Sequence, residues 1–155
     1  MPYHIAQVNI AQMVAPLDSP LMHDFVANLD RINAVADDAS GFVWRLMGDG
    51  NDATSLRPYE DERIIVNMSV WESPETLEKF VFQTVHRNIY ARKHEFFEAP
   101  KALTVALWWI EDGHIPTLEE AKERLDHLNA HGPSDFAFGW ADLPSAKLWQ
   151  EKRCG

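Results

Sequence analysis

Apolar and polar residues alternate most regularly between Arg63 and Trp71, so the chain is read outward from there. Ile64, Val66, Met68 and Val70 point to one side of a strand, and Ile65, Asn67, Ser69 and Trp71 to the other. The first side is plain core. The second mixes polar groups with a large aromatic ring, as a ligand cavity does. Ser73 and Pro74 then open a helix, Ser73 as its cap and Pro74 where a missing N–H costs nothing.

Similar patterns extend in both directions. Residues 5–14 form a first strand, with Ala6, Val8 and Ile10 opposite Gln7, Asn9 and Ala11. A helix capped at Asp18 or Ser19 comes next. Its stripe is Met22, Phe25, Val26, Leu29, Ile32 and Ala36 at three- and four-residue steps. Residues 42–47 form a second strand, with Phe42, Trp44 and Leu46 opposite Val43, Arg45 and Met47. The acidic stretch 48–62 contains Asp49-Gly50-Asn51-Asp52 but lacks the ligand spacing of a calcium loop, so it reads as a solvated hairpin loop.

A helix is expected over 74–98 with two apolar stripes, one through Leu77, Val81, Val85, Ile89 and Phe96, the other through Phe82, His86, Tyr90, His94 and Phe97. Residues 104–111 read as a strand apolar on both faces. Thr117 and Glu120 form a capping box for a last helix with Leu118, Ala121, Leu125 and Leu128 inward, ended by Gly132-Pro133. The remainder is aromatic and aperiodic, and reads as a packed arm.

This order gives an α+β class and the ferredoxin-like βαββαβ arrangement with an extra C-terminal helix. With helices on one face of an antiparallel sheet, the other face is expected bare, carrying Asn67, Trp71 and one of Trp108 and Trp109. Hiding that face requires a second copy, so a homodimer forming a dimeric α/β barrel is expected.

Composition removes several classes of function. The chain has 155 residues, 46% of them hydrophobic, which suits a single globular domain. Its formal net charge of −10 argues against nucleic acid and anionic membranes as partners. The one cysteine, Cys154, allows neither an internal disulfide nor a cysteine-based metal site, and a cytoplasmic setting is expected. No signal peptide and no membrane-spanning run is read in the sequence.

Several stretches resemble a known family: Asn9 in the first strand, Ala15-Pro16-Leu17, Gly41-Phe42-Val43-Trp44-Arg45-Leu46, Val66-Asn67-Met68-Ser69-Val70-Trp71-Glu72-Ser73, Phe80-Val81-Phe82 with His86, Leu107-Trp108-Trp109-Ile110, Gly113-His114-Ile115-Pro116-Thr117, and His131-Gly132-Pro133-Ser134 with Phe136-Ala137-Phe138. Together they resemble a bacterial and fungal domain-of-unknown-function family placed with the dimeric α/β-barrel proteins near the antibiotic biosynthesis monooxygenases. The resemblance runs from about residue 4 to 140 and leaves 141–155 as an arm outside it. It implies a neighbourhood of cofactor-free oxygenation of aromatic polyketides, haem chemistry, and lyase, cyclase or isomerase steps of secondary metabolism.

A cofactor-independent enzyme of that kind acts on a small hydrophobic, aromatic or polyketide-like molecule. It needs a base, donors for the developing anion, and a pocket that excludes water. His86 is the candidate base, since imidazole titrates nearest neutral pH. Tyr90 relays or donates a proton, and Asn9 and Asn67 hold a carbonyl or oxyanion. Trp44, Trp71 and Trp108 stack on a flat substrate with Phe82 beside them, and Arg45 binds an acidic group. Each has a plain structural alternative: a packed histidine, an asparagine that satisfies neighbouring backbone, core tryptophans.

No cofactor is expected. Haem is the alternative, with His86, His94 or Tyr90 as axial ligand. Against it, the position of the axial histidine in the small haem oxygenases falls on Tyr90 here and that of their pocket tryptophan on Phe80. A metal is not expected, because His86 and His94 stand two turns apart. The non-enzyme alternative is a small-molecule binding module.

Overall fold

Two sheet faces of unlike character make two separate interiors. The computed structural model describes residues 3–48, 56, 59–85, 92–100 and 102–142. Four antiparallel strands, β1 (Tyr3–Gln12), β2 (Phe42–Arg45), β3 (Ile64–Trp71) and β4 (Val105–Glu111), lie in the order β2-β3-β1-β4 and form an open sheet. The α-helices among the described residues are α1 (His23–Asp38), α2 (Pro74–Phe80), α3 (Lys93–Phe96) and α4 (Leu118–His131). None is long and apolar enough to cross a membrane.

The alternation in β1 and β3 divides the side chains as their sequence dictates. Ala6, Val8, Val66, Met68, Val70, Ala106, Trp108 and Ile110 share one face, and Ala121, Leu125 and Leu128 of α4 close over it. Ile5, Trp71 and Leu107 share the other face with Ala36 of α1 and Leu77 of α2. Each face therefore carries helices from within the chain, while Asn67 and Trp109, the latter 44% exposed, stay open on the α1 and α2 side. This corrects the expected bare face in two respects. Asn67 and Trp71 are on the side that carries α1 and α2. The opposite side is occupied by the helix that looked like an appendage. One apolar stripe on α4 and a short link from β4 suffice for this, and cover from the same chain costs no association entropy. The face beneath α4 is thus closed by the chain itself, and only the open part of the other face, at Asn67 and Trp109, has the exposure expected of it.

Local chemistry explains where the helices start and stop. Ser73 Oγ accepts from the Thr76 amide at 3.3 Å, with Pro74 in the first turn of α2. Gly41 has φ +83° and lies against Thr76, where a Cβ would come within 2.5 Å of that side chain, so only glycine suits this connection between α1 and β2. At α4, Thr117 Oγ1 accepts from the Glu120 amide at 3.1 Å. The reciprocal half of the capping box is replaced. The Glu120 carboxylate accepts from Trp108 Nε1 at 2.9 Å and pairs with His114 Nε2 at 2.8 Å, fastening the helix to β4.

The helix expected over 74–98 is interrupted. α2 ends at Phe80, Val81–Val85 winds as a π-helical turn, and Lys93–Phe96 is a separate short helix. A π-turn widens the helix by taking up an extra residue, so the regular spacing of the two stripes, about 3.6 residues a turn, does not hold through Val81–Val85. The Asp49-Gly50-Asn51-Asp52 cluster lies outside the described residues. After α4 the chain returns to β4, where Leu107 and Phe138 exchange backbone hydrogen bonds of 2.8 and 2.9 Å and protect the sheet edge.

Candidate ligand site

On the face beneath α1 and α2 the β1–β3 register sets four rungs side by side: Ile5 with Trp71, Gln7 with Ser69, Asn9 with Asn67, and Ala11 with Ile65. The outer two are apolar. Ile5 and Trp71 pack with Ala36 and Leu77, while Ile65 packs with Met13, Met22, Phe25 and Phe96. The inner two are polar. An apolar interior interrupted in its middle by amides and a hydroxyl is the arrangement of a site that orients a ligand by a few polar groups.

Hydrogen bonds tie these groups into a ladder. Gln7 Nε2 donates to Asn67 Oδ1 and to Ser69 Oγ, both at 2.8 Å, and Trp71 Nε1 donates to Ser69 Oγ at 2.9 Å. Gln7 and Ser69 are buried, at 8% and 7% exposure, whereas Asn67 is exposed and Asn9 half-buried, so the ladder runs from the interior to an open end. The Asn9 amide makes no side-chain hydrogen bond among the described residues. The Trp71 ring is stacked on Phe80 with centroids 5.0 Å apart and meets the Phe42 ring edge-on at 5.5 Å. Trp71 is thus a wall and a hydrogen-bond donor to Ser69, with its ring already packed.

Helix α1 adds two polar groups. Arg45, opposite Ser69 in the β2–β3 register, is buried, and its guanidinium grips Asp37 through Nε–Oδ1 at 2.8 Å and Nη2–Oδ2 at 3.2 Å. That hydrogen-bonded cation holds the Asp37 carboxyl below the usual range against an opposing desolvation. A carboxylate lowered in this way stabilises the fold above its ordinary value, about 3.9, and that contribution is lost as pH falls through the lowered value. Asp37→Asn should therefore flatten the acid limb of a stability-versus-pH curve. Denaturant midpoints of the two proteins should converge towards the acid end, and parallel curves would contradict this role. Asn33, one turn earlier on the same side of α1, is 4% exposed and has no hydrogen-bond partner among the described residues.

The structure brings together Asn9, Arg45, Asn67 and Trp71 of the residues singled out by sequence, and separates the others. Trp44 and Trp108 are on the opposite face in the core beneath α4, so they share no cavity with the amides. Phe82 falls in the π-turn and is half-buried. His94 is exposed on α3. His86 and Tyr90 lie outside the described residues. Sequence reasoning misses Gln7, Ser69 and Asn33. Gln7 has the same parity as Asn9 and Ser69 the same as Asn67, but only the register makes them neighbours. A surface groove between α1 and α2, lined by Arg31, Val35, Lys79 and Phe80 among others, contains none of the ladder residues. Among the described residues no group of three or more His, Cys, Asp or Glu side chains is placed to hold a metal ion.

The chain matches the family described as Domain of unknown function (DUF3291) over residues 4–154 and belongs to it. Among solved structures it is similar to the NE2512 protein of unknown function from Nitrosomonas europaea. That likeness has 8% sequence identity and a TM-score of 0.47, covering 75% of this chain and 95% of that one. No curated protein matches the chain.

Proposed function

We propose that this chain binds a small, largely apolar molecule between its sheet and helices α1 and α2, and acts on it as a cofactor-free enzyme of the monooxygenase, cyclase or isomerase type. The observation that carries the reading is the polar ladder Gln7–Asn67–Ser69–Trp71, set between two apolar clusters on the helix-covered face. Kinship with the dimeric α/β-barrel proteins and a ferredoxin-like fold belong to the same proposal. The strand order β2-β3-β1-β4, with α1 and α2 on one face, supports them. In this reading the ladder holds the carbonyl of the substrate, and His86 takes its proton.

The test combines an absorption spectrum of the protein as purified with an assay of aromatic ketones after treatment with a chelator. Turnover by the chelated, colourless protein is the expected result. A Soret band would replace this reading by the haem alternative. Tight ligand binding without turnover of any ketone would leave a binding module, which the ladder supports equally through its neutral, non-titrating groups.

A further inference from the structure

The ladder also constrains what the ligand is, and this inference rests on the reading of that sheet face as a ligand site. We propose that the ligand is uncharged where it meets the ladder, that it presents a hydrogen-bond donor and an acceptor on neighbouring atoms, as an amide, lactam or hydroxyketone does, and that Asn33 contacts it from the helix side.

The ladder leaves two of its polar atoms over. Gln7 uses Nε2 for both of its bonds, so its Oε1 remains as an acceptor. Asn67 accepts through Oδ1, so its Nδ2 remains as a donor. Turning both amides over exchanges these roles: Gln7 Nε2 becomes the free donor and Asn67 Oδ1 the free acceptor. Either way two amides joined by a hydrogen bond offer one donor and one acceptor between them, the groups by which side-chain amides hold a complementary edge.

Charge points the same way. The cation of this face, Arg45, is committed to Asp37 in a two-bond ion pair. Its other polar members, Gln7, Asn9, Asn33, Asn67 and Ser69, are neutral. Among the described residues of this face, an anionic group would therefore meet no cation that is not already engaged with a carboxylate. Asn33 completes the picture: it lies on the inward side of α1 at 4% exposure, and its amide makes no side-chain hydrogen bond among the described residues, which leaves it available to a ligand.

Three benzene derivatives of similar size separate the possibilities: benzamide, neutral with donor and acceptor; methyl benzoate, neutral with acceptors alone; and benzoate, charged. Binding is read from the Trp71 indole N–H signal in heteronuclear NMR, assigned by its disappearance in Trp71→Phe. Benzamide should bind about five- to tenfold more tightly than either of the others, the effect of one retained hydrogen bond. Equal or tighter binding of benzoate would overturn the ligand class while keeping the site. Failure of all three to move the Trp71 signal would overturn the site itself and this inference with it. Asn33→Leu should weaken benzamide by a similar factor while the melting temperature holds or rises. A lower melting temperature with unchanged affinity would make Asn33 a structural residue. Asn67→Ala, at an exposed position that should fold in any case, must also weaken benzamide, and unchanged affinity there would overturn the proposed pairing.

Discussion

Replacing Trp71 by alanine should cost about 3–5 kcal/mol of folding free energy, a large share of the roughly 5–15 kcal/mol that holds a domain together. Trp71 is fully buried and sits at a junction of three elements. It lies opposite Ile5 of β1, opposite Phe42 of β2, and under Phe80 of α2. Alanine would open a cavity at all three contacts. It would also remove the indole N–H that Ser69 Oγ accepts. Trp71→Phe separates the two effects. It keeps an aromatic ring between Phe42 and Phe80 and removes the hydrogen bond, so about 1–2 kcal/mol should be lost. Urea midpoints tracked by far-ultraviolet circular dichroism measure both, since five other tryptophans remain to confuse fluorescence (6 in the chain, less Trp71). Equal losses in the two variants would show that the hydrogen bond, and not the packing, makes this position matter.

The elements are legible in the sequence because each arises from a local pattern. Period-two alternation marks β1 and β3, and Ser73-Pro74 marks the start of α2. The partition of β3 into a plain face and a mixed face is legible for the same reason. What covers each face is not, because coverage depends on where α4 is laid down, and an amphipathic stripe does not say which sheet face it will meet. The same limit hides half of the ladder. Asn9 and Asn67 stand out as amides among apolar residues, but Gln7 and Ser69 acquire meaning only when the register places them opposite one another. Asn33 does not stand out between Ile32 and Ala36, since its lack of a hydrogen-bond partner is a property of the packed structure. Side-chain chemistry groups Trp44 and Trp108 with Trp71, and strand parity in the assembled sheet divides them.

His86→Ala should lower kcat by about 10²–10⁴, the usual contribution of a general base, and leave ligand affinity within about twofold of the parent. The amides and hydroxyl of the ladder can orient a substrate and stabilise an enolate, but none of them takes up a proton near neutral pH. The hydrogen bonds from Arg45 hold the Asp37 carboxyl below its usual range, which makes Asp37 a poor base. On the proposed function, the proton taken from a substrate beside the ladder goes to a group outside it, and the sequence offers the imidazole of His86, which follows Val85 in the chain. Loss of that imidazole removes the acceptor and leaves the ladder in place, so turnover and binding should part. Free imidazole added to the variant should restore some of the rate, which a merely structural histidine would not allow. If kcat stays within a few-fold, the base lies elsewhere. If affinity falls along with kcat, His86 belongs to the binding surface rather than to the proton transfer.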